Sequence, residues 1–335
     1  FAVNEGEYKV MGFAAFGKPI YYEELQKTIK IEDDKLILDT KYYDFVRSTK
    51  NSYSLKLQDI FKIPPRESHL PLEIGDKDFN DYANIAASAQ KVTEKLLEKL
   101  MELAHKLSGE KKFLLSGGVA MNSSALRKLA KLEFVDEINV PPSPGDSGAC
   151  IGAAYFGYIK DSSNAINQNK ENTLRSKLYP GLSKSNDDFY ENILKKIADK
   201  NNIIDKAVEL IENNEIIATC YDNIETGPRA LGNRSLICNG HNQNLVNKLS
   251  VQIKNRSPFR PTAPAILEED ASRYFKIEKS LLKNYLHMGS TTMTVQEKIE
   301  EIRGVVHVDN SARIQICDKE QLLGKILHKC RKNNI

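Results

Sequence analysis

Apolar side chains at Ile85, Ala89, Val92, Leu96, Leu100, Leu103 and Leu107 recur every three or four residues, and Gly109 follows the last of them. That spacing lays one apolar stripe along a helix over 83–107, and a glycine just past the end can take the left-handed conformation that closes it. The period then changes. Residues 112–116 form a short apolar run of strand type, Gly117-Gly118 breaks it, Leu126 and Leu129 mark a second helix, and 135–140 read as another strand. A proline-rich turn over 141–146 leads into a small-residue helix over 147–154. Helix, strand, glycine turn, helix, strand and helix in that order predict an α/β fold.

The stretch 160–175 is rich in Ser, Asn and Lys and carries no apolar pattern, so it reads as a linker between a unit over 1–165 and a second over 176–335. Beyond it the pattern predicts a helix at 207–211, a buried strand at 216–221, a helix at 244–253, and strands at 304–308 and 312–316 on either side of a turn. This half is also mixed α/β. A chain of 335 residues is long enough for two such units, each with its own core.

The formal charge of +3 is small for this length and argues against general attraction to nucleic acid or an anionic membrane. Five cysteines, at 150, 220, 238, 317 and 330, show no metal-knuckle spacing and are odd in number, which predicts reduced thiols and a cytoplasmic setting. Cys150 and Cys220 lie in apolar runs and are expected in the core. No stretch is apolar enough to span a bilayer.

What the net charge hides is clustering. Residues 226–235 and 254–264 set Arg229, Arg234, Lys254, Arg256 and Arg260 among Gly227, Gly232, Pro228, Pro258, Pro261 and Pro264. Long cations on stiff, turn-rich backbone hold a phosphate in one geometry, whereas an ordinary exposed loop has no need of such backbone. Gly117-Gly118 lets the chain approach a ligand at a strand end, with Asn122 within reach of a nucleotide, although the same pair also serves as a plain tight turn. Asp146, at a helix entry, is either an N-cap or a carboxylate ligand for a metal.

Taken in order, 7–17, Leu115-Ser-Gly-Gly-Val-Ala-Met-Asn122, Pro144-Gly-Asp-Ser-Gly148, Gly227-Pro-Arg-Ala-Leu-Gly-Asn-Arg-Ser235, 256–264 and His307-Val-Asp-Asn-Ser-Ala-Arg313 resemble the successive motifs of the NodU/CmcH carbamoyltransferases. The resemblance implies an actin-like ATPase domain, similar to the tRNA threonylcarbamoyl transferase TsaD, followed by a YrdC-like domain. The second would join carbamoyl phosphate to ATP as carbamoyl adenylate, releasing pyrophosphate and phosphate. The first would pass the carbamoyl group to a hydroxyl of a small molecule.

By the same resemblance Arg229, Lys254, Arg256 and Arg313 contact carbamoyl phosphate and the ATP phosphates, with Arg234 and Arg260 beside the nucleotide. His307 either binds the same intermediate or is a hydrogen-bonded strand residue. Glu7, Lys9 and Gly12 join Gly117, Gly118 and Asn122 in a nucleotide wall, and Asp146 matches the family's metal aspartate, for a divalent ion expected to be iron. Ser257 stands where the family usually has Glu, Thr226 and Thr262 where Phe is common, and Asn310-Ser311 where it has Gly-Thr. The family's opening phosphate loop, its metal histidines and its closing motif are not in this sequence, so the chain is expected to hold parts of both sites and to be inactive alone. No nucleic acid or membrane partner is expected, and a homodimer is admitted. Two other readings stand beside this one: carbamoyl transfer to a macromolecule such as tRNA or a hydrogenase maturation partner, and a noncatalytic nucleotide-binding module. The modest charge argues against tRNA.

Overall fold

A computed structural model describes residues 6–49, 51–67, 70–162, 203–221 and 223–333. Most of the linker expected at 160–175 lies outside them. The described residues form a mixed α/β fold of helices and small sheets.

The predicted first helix is longer than its periodic core, running Phe79–Ser108, and Gly109 closes it at φ 71° with its N–H bonded to the His105 carbonyl. Its buried stripe passes through Phe79, Ala83, Ala86, Ala87, Val92 and Met101, whereas Leu100 and Leu107 are exposed. Alanines predominate on that stripe because the short helix Glu7–Phe13 and the turn after it pack closely on this side. At Gly17 a Cβ would come 2.0 Å from the Ala83 carbonyl oxygen.

Strands Lys112–Leu114 and Glu137–Asn139 pair in parallel across the crossover helix Ser123–Leu129, as the sequence pattern predicts. Asn284, fully buried, continues that ladder from far along the chain. Its Nδ2 donates to the Ile138 carbonyl at 2.6 Å, and its Oδ1 accepts from the Val140 N–H at 2.9 Å. Later, Ala265–Leu267 pairs in parallel with Gln315–Cys317, and Thr292–Thr294 lies antiparallel between Phe275–Lys276 and Ser311–Ala312.

Several expectations change. Residues 304–308 are not a strand: Arg303–Val305 is one 3₁₀ turn, held where Gly304 fits against the backbone of Gln243, and the His307 N–H closes the next turn by donating to the Ser311 carbonyl at 2.8 Å. The strand at 216–221 shrinks to Ile217–Ala218, and the helix over 244–253 divides into Gln243–Asn247 and a π-helical stretch Lys248–Ile253. Cys150 and Cys220 are exposed rather than buried, because the helix Ala149–Ser162 turns Cys150 and Ile151 outward and Cys220 lies past the end of its strand; Cys317 and Cys330 are the buried thiols.

Two apolar clusters join regions far apart in sequence. One combines Leu126, Leu129, Ile138 and Val140 with Tyr285, Ile302 and Ile314. The other sets Phe13, Phe79 and Ala83 against Phe259, with Phe259 4.9 Å from Phe13 between ring centroids. Burial of these side chains is worth roughly 1.5–3 kcal/mol each, so the segment carrying 254–264 is fixed onto the first half. Among the described residues no helix is long and apolar enough to cross a membrane.

Candidate functional site

Glu225 shapes the first basic loop. Its Oε1 accepts from the backbone N–H groups of Leu231 at 3.0 Å, Asn233 at 2.7 Å and Arg234 at 2.9 Å, gathering the chain around one carboxylate oxygen. Gly227 and Gly232 take φ values of 89° and 115°, which side chains rarely adopt, and the Gly232 N–H is capped by Ser235 Oγ at 2.9 Å. The loop is thereby pressed onto the proline turn of the first half, and Arg229 is buried with its Nη2 donating to the Met121 carbonyl at 3.4 Å. Arg229 Nη1 is buried with no partner.

Four further cations are linked to it through Arg313. Burial lowers the pKa of Arg313 to about 9, and the charges of Arg229, Arg256 and Arg260 push the same way; its Nε is buried without a partner. Burial alone brings Arg229 down to about 10. Lys254 is lowered by burial and then by Arg256, and Arg256 by burial and then by Arg260. The shared cause is burial, to which like charge adds at Arg313, Lys254 and Arg256. Among the described residues none of these five forms an ion pair with a carboxylate. Side chains that repel one another, donate only, and leave buried donors unpaired make a site for a polyanion. The sequence-predicted residues Arg229, Lys254, Arg256, Arg260 and Arg313 are thus brought together.

The N-terminal helix forms one wall. Arg260 lies over the Tyr8 ring at 4.8 Å, Lys9 Nζ is 5.9 Å from the same ring, and a Cβ on Gly12 would stand 3.8 Å from Pro261. Glu7 is exposed in the first turn, where its Oε2 accepts from the Gly6 N–H at 3.2 Å. Met11 Sδ accepts from Ser123 Oγ at 3.6 Å, which ties this helix to the glycine turn. In that turn Gly117 takes φ 93°, and no atom lies within 4 Å of where a Cβ on Gly117 or Gly118 would be, so a ligand can approach the strand end. Asn122 has structural work there: its Oδ1 caps the Ala125 N–H at 3.0 Å, and its amide pairs reciprocally with Gln90.

The remaining predicted residues take different places. Arg234 turns back on its own loop and donates to the Tyr221 carbonyl at 2.7 Å. His307 is buried between the Phe259 carbonyl, 3.3 Å from Nε2, and Asp309 Oδ1, 3.5 Å from Nδ1, with Phe16 edge-on at 5.6 Å. For Asp309 burial alone would raise the carboxyl, but hydrogen bonds from His307 and Ser311 outweigh it and hold it well below the usual carboxylate range. Asp146 is exposed as the first residue of the 3₁₀ turn Asp146–Gly148, and the N-cap position belongs to Gly145. Among the described residues no three His, Cys, Asp or Glu side chains converge on one point, so these residues do not by themselves fit a divalent ion, and Asp146 brings one carboxylate.

Sequence reasoning passed over Glu225, His287 and Gln315. Gln315 is fully buried and donates through Nε2 to the Leu231 carbonyl at 2.9 Å, with its Oε1 unpartnered. His287 is buried with Nε2 unpartnered, and burial followed by the charge of Arg229 lowers its pKa to about 4. A signal existed only for Gln315, which stands two residues past the motif that ends at Arg313; nothing in the local sequence of Glu225 or His287 marks a site.

Comparison with known families matches residues 1–155 to the carbamoyltransferase N-terminus and residues 208–334 to the carbamoyltransferase C-terminus, together most of the chain. Among individual proteins, an uncharacterized protein of Synechocystis sp. is 29% identical over 346 residues, covering 96% of this chain and 55% of that protein. Nodulation protein NolNO of Sinorhizobium fredii is 27% identical over 97% of this chain and 46% of its own length, and Nodulation protein U of Rhizobium tropici is 31% identical over 69% and 38%. The chain therefore spans about half the length, or less, of these relatives.

Proposed function

This chain belongs to the carbamoyltransferase family, and from that premise we propose that the whole protein is an ATP-dependent O-carbamoyltransferase whose basic cradle binds carbamoyl phosphate and the ATP phosphates. The observation that carries the reading is the convergence of Arg229, Lys254, Arg256, Arg260 and Arg313 with no carboxylate partner among the described residues. Carbamoyl phosphate loses phosphate to water, and an oxygen of the resulting carbamate bonds to the α-phosphorus of ATP as the bond to pyrophosphate breaks. The acceptor hydroxyl oxygen then bonds to the carbonyl carbon, AMP leaves, and the hydroxyl proton passes to solvent. In the first step charge builds on the phosphoryl oxygens, where fixed guanidinium donors stabilise it without reorganising. An actin-like first domain and a YrdC-like second domain belong to the same proposal, with a small molecule as acceptor. No step is assigned to a metal.

The test is Arg256→Ala in the full-length protein, with pyrophosphate release followed in the presence of ATP and carbamoyl phosphate. Removing one charged donor at a reacting phosphate is expected to slow release about 100-fold or more. Release at the unaltered rate would remove the cradle from the reaction.

A further inference from the structure

The five cations of the cradle sit on three segments: Arg229 on the loop 226–235, Lys254, Arg256 and Arg260 on 254–264, and Arg313 just before the strand Gln315–Cys317. Like charge pushes these segments apart. Bonds that do not involve the cations therefore have to hold the segments at a working distance.

Gln315 bonds to both basic loops at once. Its backbone N–H donates to the Pro264 carbonyl at 2.9 Å, at the end of the second loop, as part of the parallel pairing with Ala265–Leu267. Its side-chain Nε2 donates to the Leu231 carbonyl at 2.9 Å, two residues past Arg229 in the first loop. Arg313 lies two residues before it on the third segment. Leu231 is held from other sides as well: Glu225 Oε1 accepts from its N–H at 3.0 Å, and it shares an apolar cluster with Met288 and with Ala263 of the second loop.

What the glutamine side chain contributes is that one bond. Gln315 is fully buried, and its Oε1 has no hydrogen-bond partner. A buried amide satisfied at one end only costs stability, and a methionine would fill the same space without that cost. The Leu231 carbonyl only accepts, so the amide must present its nitrogen there and leave its oxygen facing away. A side chain that costs stability, placed at a tie between two loops, serves their spacing rather than the core.

We infer that Gln315 is a positioning residue that sets the distance between the two basic loops, so that both hold one polyanion. This rests on the function proposed above and deepens it. Orthophosphate is small enough to be held by the cations of one loop. Pyrophosphate, with the same linkage as the phosphate chain of a nucleoside triphosphate, engages both, and its second contact is intramolecular. The strength of that contact depends on how far apart the loops are held. A displacement of about 1 Å at a positioned site can cost about a hundredfold.

Calorimetry with orthophosphate and with pyrophosphate, on the chain as it stands and on Gln315→Met, tests this. Methionine keeps the length and the volume and removes the donor together with the orphaned oxygen, so the variant is expected to fold. Its affinity for pyrophosphate should fall about tenfold or more, and its affinity for orthophosphate by less than about twofold. Loss of stability alone would lower both by the same factor, because it acts only through the folded fraction. Equal losses for the two anions, or no loss, overturn the inference and leave the cradle standing. A second measurement needs no variant: in ¹⁵N-glutamine-labelled protein, exchange of the Gln315 Nε2 hydrogens with solvent should slow further with pyrophosphate and not with orthophosphate. Exchange that pyrophosphate leaves unchanged overturns the inference, whether or not Gln315→Met folds. A chain that binds neither anion overturns the proposed function itself.

Discussion

The Cβ that any residue other than glycine would carry at position 227 would lie 2.3 Å from the carbonyl oxygen of Pro142. Gly227 belongs to the loop that carries Arg229, and Pro142 to the turn that ends in Asp146, so this close approach is one of the places where the two motif sets of the chain meet.

Gly117 makes an internal control of similar φ. It has φ 93° against 89° at Gly227, yet nothing lies within 4 Å of where its Cβ would stand. Gly117→Ala should therefore cost only the strain of the positive φ, about 1–3 kcal/mol. Gly227→Ala must in addition push two backbone segments apart, and a loss of about 3 kcal/mol or more is expected. Urea unfolding of the two variants measures the difference, and equal losses would mean that the contact with Pro142 is not fixed.

Arg313 costs the free protein stability, because a buried guanidinium beside three other cations has lost water and gained repulsion. Arg313→Met keeps the length and the apolar stem without the charge. In the absence of anions the variant should be as stable as the unaltered chain or more so, by up to about 2 kcal/mol. Added phosphate should raise the unfolding temperature of the unaltered chain and do so much less for the variant. An unaltered phosphate response in Arg313→Met would show that the anion is held elsewhere.

The parallel pair and its crossover helix were legible because each depends on local periodicity and on the glycines that interrupt it. So was the basic character of 226–235 and 254–264, where composition alone departs from an ordinary loop. Three things were not. The strand predicted at 304–308 is replaced by a turn, because Gly304 answers to the backbone of Gln243, far back in the chain. Glu225 reads as one more surface acid until the loop closes on it. His287 is set first by burial and then by the charge of Arg229, neither of which shows in its local sequence. Residues that act through tertiary contact leave no spacing to find.

Asp146 is exposed, and among the described residues no set of three ligating side chains stands together. A single carboxylate leaves a divalent ion mostly to water. This chain, dialysed against buffer after exposure to Fe²⁺ or Mn²⁺, is therefore expected to retain less than stoichiometric metal, and Asp146→Asn should not change the amount. One tightly held ion per chain, lost on that substitution, would show that Asp146 has partners the described geometry does not bring to it.

His287 also sets a pH dependence whose sign is fixed by burial. Its folded pKa of about 4 lies below the ordinary histidine value of 6.5, so between those limits the unfolded chain binds the extra proton and the folded one does not. Acidification through that window favours unfolding, and stability rises with pH across it, by about 3 kcal/mol in all. His287→Gln cannot titrate and should flatten this slope between pH 4 and 6.5. Asp309 works in a different window. Its carboxyl is held below the usual range by His307 and Ser311, so its contribution is complete above the ordinary carboxylate pKa and is lost only as pH falls below it. Asp309→Asn should then leave the slope above pH 4 in place and weaken the acid limb beneath it. Denaturant midpoints for the three proteins at closely spaced pH values give the comparison. A slope above pH 4 that persists in His287→Gln would mean that the imidazole is not held neutral in the folded chain, and that the unpartnered Nε2 beside Arg229 carries a proton.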